Sequence, residues 1–222
     1  MKTKIKFASG LFIALLLTFC WACKKDDNNE YPPGQSTITD PRDGKVYKTI
    51  TTDSLTWFAE NLDFDTAGAF EPPLKLTTGA KLGKLYAFGS AKVACPSGWH
   101  LSTDNEWKAL LMHLGVSAED AGSHGWNGGD AGKKLKSTTG WSGNGNGTNL
   151  IGFGALPAGW MDYYGEHKGK GEYAVFWTST LEQDNAAYTR SLVDSRDDMG
   201  KTAMTYTGGA AASVRCVKDA PK

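Results

Sequence analysis

The stretch Cys95-Pro96-Ser97-Gly98-Trp99-His100-Leu101-Ser102-Thr103-Asp104-Asn105-Glu106-Trp107 decides how the rest of the chain is read. Thr103 can cap a helix through its hydroxyl, and Glu106, three residues on, can reach back to the cap N–H to complete a capping box. Trp107, Leu110, Leu111 and Leu114 follow at the spacing of one apolar helix face, and Gly115 ends the run. On the other side Cys95-Pro96 stops whatever precedes it. A second helix or helical turn is expected within 83–94, where Leu85, Phe88 and, less regularly, Val93 could face a core.

Outward from this helix the pattern changes to strands. Asp43-Gly44 is a turn pair, and 46–50 and 55–59 follow as strand candidates. The last third offers four more, at 152–156, 173–180, 187–192 and 212–217, each pair separated by turn residues. Between Gly122 and Gly154 lie eleven glycines in 33 residues, interspersed with Trp126, Trp141, Asn144, Asn146 and Asn149. Such rings favour an ordered, packed loop over a disordered one. The predicted class is α+β, with one or two helices, short antiparallel strands and long glycine-rich loops.

Composition supports a single core. The chain has 222 residues, 24 basic against 24 acidic, so no field of one sign attracts nucleic acid. Its 27 glycines and 8 tryptophans exclude a helical bundle and a disordered chain.

The N-terminus reads as an export signal over 1–22. Lys2, Lys4 and Lys6 precede the apolar run Leu11–Leu17, which falls far short of the roughly 20 residues a membrane span needs. The segment up to Cys23 resembles a bacterial lipobox. Ala22 offers the narrow side chain that cleavage before Cys23 requires, whereas Phe19 before Cys20 does not. A triacylated Cys23 would anchor the protein to a membrane without spanning it. Lys24-Lys25-Asp26-Asp27 resembles the tag that sends Bacteroidetes lipoproteins to the outer cell surface, with a solvated linker as the alternative. Residues 23–40, with Pro32-Pro33-Gly34, read as the lipidated cysteine and a flexible tether. Loss of three lysines with the signal leaves 24 − 3 = 21 basic against 24 acidic groups.

Cys95 and Cys216 remain. In an oxidising compartment they suggest one disulfide, with two buried free thiols as the alternative. Closing that long loop would stabilise by roughly 4 to 5 kcal/mol on the chain-entropy model.

Four stretches taken together, 43–47, 95–107, 153–159, and 176–180 with 213–219, resemble the Fibrobacter succinogenes major paralogous domain over residues 41–219. The resemblance implies an exported or surface protein. A more distant similarity of 98–107 and 214–217 to the formylglycine-generating, sulfatase-modifying group implies a C-type lectin-like scaffold. The reactive cysteine pair and the Gly-Asn-Val-Trp-Glu-Trp type segment of that group do not occur here, which argues against its oxidase-like chemistry.

No Gly-x-Ser-x-Gly elbow and no metal-binding histidine pair occurs. His100 reads as structural, His113 as a surface residue of the helix, and His124 and His167 as loop residues. Asp120, Asn127, Asp130, Asn144, Asn146 and Asn149 could offer oxygens to calcium, but they match no EF-hand and read as turn formers, so no cofactor is expected. The aromatic residues carry the functional expectation. Trp126, Trp141, Trp160, Tyr163 and Tyr164, with Asn127, Asp130, Asn144 and Asn146 nearby, are candidates for stacking on and bonding to a ligand. Trp57, Trp99, Trp107 and Trp177 are expected in the core, and the core is the alternative for Trp126, Trp141 and Trp160 as well. The function expected is a lipoprotein anchored at the outer membrane and exposed on the cell surface, with a non-catalytic domain that binds a glycan or a protein. The rivals are a diverged enzyme, of the formylglycine-generating type or a cell-envelope hydrolase, and a structural subunit of a surface assembly.

Overall fold

The computed structural model describes residues 34–73 and 75–220. In chain order the elements are β1 (Gln35–Thr39), β2 (Val46–Thr52), β3 (Leu55–Phe58), β4 (Ala69–Phe70), β5 (Leu85–Ala87), α1 (Phe88–Ala94), β6 (Trp99–Leu101), α2 (Asp104–His113), α3 (Ala118–Gly122), β7 (Gly125–Asn127), α4 (Ala131–Leu135), β8 (Trp160–Met161), β9 (His167–Lys168), β10 (Tyr173–Gln183), β11 (Ala186–Val193), β12 (Met199–Thr205), β13 (Ala211–Ser213) and β14 (Cys216–Lys218).

Helix α2 forms for the reason its sequence gives. Thr103 Oγ1 accepts from the Glu106 N–H at 3.1 Å, and Glu106 Oε2 accepts from the Thr103 N–H at 2.7 Å. Its apolar face buries Trp107, Leu110 and Leu111. The Trp107 ring sits 5.1 Å from Trp57, 5.5 Å from Phe153 and 5.3 Å from Phe176, so helix, smaller sheet, loop and larger sheet meet at one residue.

The smaller sheet runs β1-β2-β3-β14-β6 and is antiparallel throughout. The larger runs β4-β5-β13-β10-β11-β12-β7, with the β8/β9 hairpin joined to β13. Its β10–β13 pair is parallel. Because side chains alternate along a strand, β10 feeds two cores: Ala174 and Phe176 join the cluster around α2, while Val175 and Trp177 join the cluster around α1. Cys95, just after α1, is bonded to Cys216 at the start of β14, with Cα atoms 5.8 Å apart. The disulfide therefore ties α1 to the smaller sheet.

Several expectations are corrected. The expected tether runs to residue 40, yet 35–39 form β1, with Gln35 opposite Ile50 and Thr39 opposite Val46. Their polar composition gave no sign of a strand because the apolar face they need belongs to β2. Within 83–94 only Phe88–Ala94 is helical. Leu85 and Tyr86 are fully buried in β5, and Ala87 is still extended at φ −58°, ψ 145°. Residues 152–156 make no strand, since Gly152 and Gly154 lie at φ +80° and +60° and only Ala155 bridges to Lys136. The strand expected at 212–217 is split into β13 and β14, where the chain crosses from one sheet to the other. At the crossing Arg215 is buried: Nη1 donates to the carbonyls of Phe58 and Phe153, and Nε donates to Asn61 Oδ1. Burial pulls its pKa down to about 9. The loop region 122–154 is ordered, and holds β7 and α4. The export signal expected over 1–22 and the lipidation expected at Cys23 lie outside the described residues.

Candidate ligand-binding groove

The register of β10, β11 and β12 sets one row of side chains on the open face of the larger sheet. Val175 pairs with Ser191 and Trp177 with Thr189; across the next gap Thr189 pairs with Thr202, Ser191 with Gly200 and Ala187 with Met204. One end of this face is covered, because Phe88 of α1 packs on Trp177 at 5.2 Å. The other end stays open as a groove of about 260 Å³ floored by Val175, Thr189, Ser191, Thr202 and Met204. Thr189 and Thr202 share a hydroxyl–hydroxyl hydrogen bond of 3.1 Å across the floor.

Aromatic rings form the walls. Trp126 of β7 pairs with Gly200. A Cβ at position 200 would lie 3.3 Å from three atoms of the indole, so the glycine lets the ring approach the strand closely. On the opposite side Trp160 stands edge-on to Tyr173, centroids 5.2 Å apart. The Arg196 guanidinium lies 5.3 Å from the Trp126 centroid, held by two 2.7 Å hydrogen bonds to Asp198.

Behind the floor, on the other face of the same strands, Asp104 at the start of α2 holds two buried cations. Its Oδ1 is 2.7 Å from Arg190 of β11, and its Oδ2 is 2.7 Å from Lys201 of β12. Arg190 and Lys201 also donate to the carbonyls of Ala121 and Gly122 at the end of α3. Burial lowers the pKa of Arg190 and Asp104 opposes that. This cluster fixes the floor strands to α2.

The structure sorts the candidate residues. Trp126 and Trp160 are brought together as walls. Tyr163 and Tyr164 are 55% and 83% exposed at the tip of the β8–β9 hairpin, outside the groove, with rings 5.3 Å apart. Trp141, a ligand-binding candidate with the core as its alternative, is a core residue at 5% exposure. Its Nε1 donates to Ser137 Oγ at 3.1 Å and to the Ala155 carbonyl at 3.0 Å, and Asn146 Oδ1 accepts from its backbone N–H. Burial with every donor satisfied leaves it nothing to offer a ligand. Asn144 is exposed on that loop, away from the groove. Asn127 donates to the His124 carbonyl at 2.8 Å and Asp130 pairs with Lys134 at 2.7 Å, so both serve local structure. Asp120 accepts from the Ser117 hydroxyl at 2.9 Å, and Asn149 takes the Gly154 N–H. Among the described residues no group of three or more His, Cys, Asp or Glu side chains is arranged to hold a metal ion. His100 bonds Asp219 and Glu106, His113 bonds Asp53, His124 stands on Tyr188, and His167 lies in β9 opposite Met161.

Tyr173, Val175, Thr189, Ser191, Thr202 and Met204 line the groove and were not singled out by sequence reasoning. The signal that could have found them is the alternation Thr189-Arg190-Ser191-Leu192, which sets small hydroxyls on one face of the strand.

The molecule is thus a disulfide-linked α+β domain with an aromatic-walled groove on the open face of its larger sheet. Residues 38–218 match the model of the Fibrobacter succinogenes major domain, and the chain belongs to that family. No curated protein and no solved structure matches it.

Proposed function

We propose that this chain is a lipoprotein anchored at the outer membrane through Cys23 and exposed on the cell surface. Its C-type lectin-like domain binds an extracellular glycan, without catalysis, in the groove between Trp126 and Trp160. The observation that carries this reading is the groove itself: three aromatic rings facing across a floor with three hydroxyl groups. Flat rings bury much area at small entropic cost, and hydroxyls both donate and accept, which suits sugar faces and sugar hydroxyls. The test is a glycan array probed with the full chain in a detergent that has no sugar head group. The wild-type chain should retain a defined set of glycans, and the double variant Trp126→Ala, Trp160→Ala should retain none of them. Retention by the double variant would place binding elsewhere.

A further inference from the structure

Resting on that reading of the groove, its lining also names the class of saccharide. No side chain that carries charge at neutral pH lines it. Two cations beside the walls are already paired within the protein: Arg196 is held by Asp198, and Lys168, paired across the hairpin with Trp160, sits 3.3 Å from Asp162 and also meets Glu166. Arg190 and Lys201 point to the opposite face and are held by Asp104. A carboxylate or sulfate entering here would lose water with no counter-charge to replace it. Val175 and Met204 add apolar floor beneath the rings, which fits the C–H faces of pyranose rings and not an anionic group. From Tyr173 on β10 to Gly200 on β12, where the Trp126 ring lies, the floor crosses two inter-strand gaps, about 10 Å at about 4.8 Å each. That span takes a short run of sugar rings lying across the strands.

We infer that the groove selects uncharged oligosaccharides and rejects uronic or sulfated ones. The full chain, in the same detergent, is titrated with cellohexaose, xylohexaose, mannohexaose and hexagalacturonate, followed by tryptophan fluorescence and calorimetry. At least one neutral hexamer should bind, with a Kd that holds between about 50 mM and about 500 mM salt, because no ion pair is there to be screened. Trp126→Ala should weaken that binding roughly tenfold, equivalent to about 1.4 kcal/mol, with an unchanged circular dichroism spectrum. Tighter, salt-sensitive binding of hexagalacturonate that is lost in Trp126→Ala would overturn the neutral class and leave the groove as the site. Glycan binding that survives Trp126→Ala and Trp160→Ala together would overturn the groove itself. Failure of every hexamer to bind would overturn the inference.

Discussion

Trp126 and Trp141 have the same surroundings in the sequence, each a tryptophan beside glycines, and the fold puts them to opposite uses. The Trp126 ring lies on Gly200 with one side toward an open groove, while Trp141 is enclosed by its own loop with its indole N–H donating to two acceptors. Lys136 reinforces the difference. It is buried, with Nζ 5.3 Å from the Trp141 ring centroid, and donates to the carbonyls of Val193 and Arg196. Burial lowers its pKa. Trp141→Ala would leave a cavity beside a desolvated ammonium and is expected to cost about 3 to 5 kcal/mol in urea unfolding. Trp126→Ala should stay within about 1 kcal/mol of wild type. Equal losses for the two variants would assign both rings to the core.

Among the elements, α2 and the strands beside it share one titrating side chain. His100 on β6 bonds Asp219, just past β14, through Nδ1 at 2.7 Å and Glu106, in the first turn of α2, through Nε2 at 2.8 Å. Burial opposes its charge, but the two carboxylates outweigh burial and raise its pKa. The folded state therefore holds this proton more tightly than the unfolded one. The stabilisation is complete below an unfolded pKa of about 6.5 and is lost as pH rises through the higher folded value. Urea midpoints should fall from about pH 6.5 upward, and His100→Gln should flatten that part of the profile. An unchanged slope in the variant would show that His100 does not couple these elements. The same elements show what the sequence could disclose. Helix α2 was legible because its capping box and apolar face are local, written within a dozen residues. Strand β1 was not, since Gln35-Ser36-Thr37-Ile38-Thr39 becomes a strand only beside β2, and β5 reads as helix because Leu85 and Tyr86 are buried from both sides of a sheet. In the groove the wall rings Trp126 and Trp160 stood out as tryptophans among glycines. The floor did not, because which way Thr189 or Thr202 faces depends on strand register, and no local pattern fixes that.

On the scale of the whole molecule, one covalent link and one buried cation join parts that lie far apart in the chain. The Cys95–Cys216 bond closes a sequence separation of 121 residues. Replacing both cysteines by serine should lower stability by about 2 to 5 kcal/mol, read as a shift in urea midpoint that a reductant reproduces in the wild-type chain. Arg215, between β13 and β14, meets β3 through the Phe58 carbonyl and the 122–154 loop through the Phe153 carbonyl. Both connections depend on the final strand. Strand β14 lies inside the smaller sheet, between β3 and β6, with Val217 opposite both Trp57 and His100. Among the described strands it is the last that a ribosome makes. Until residue 218 has emerged, β3 and β6 have no shared neighbour and the sheet stays open at its centre, so native closure awaits that residue. A nascent chain still short of β14 remains threadable.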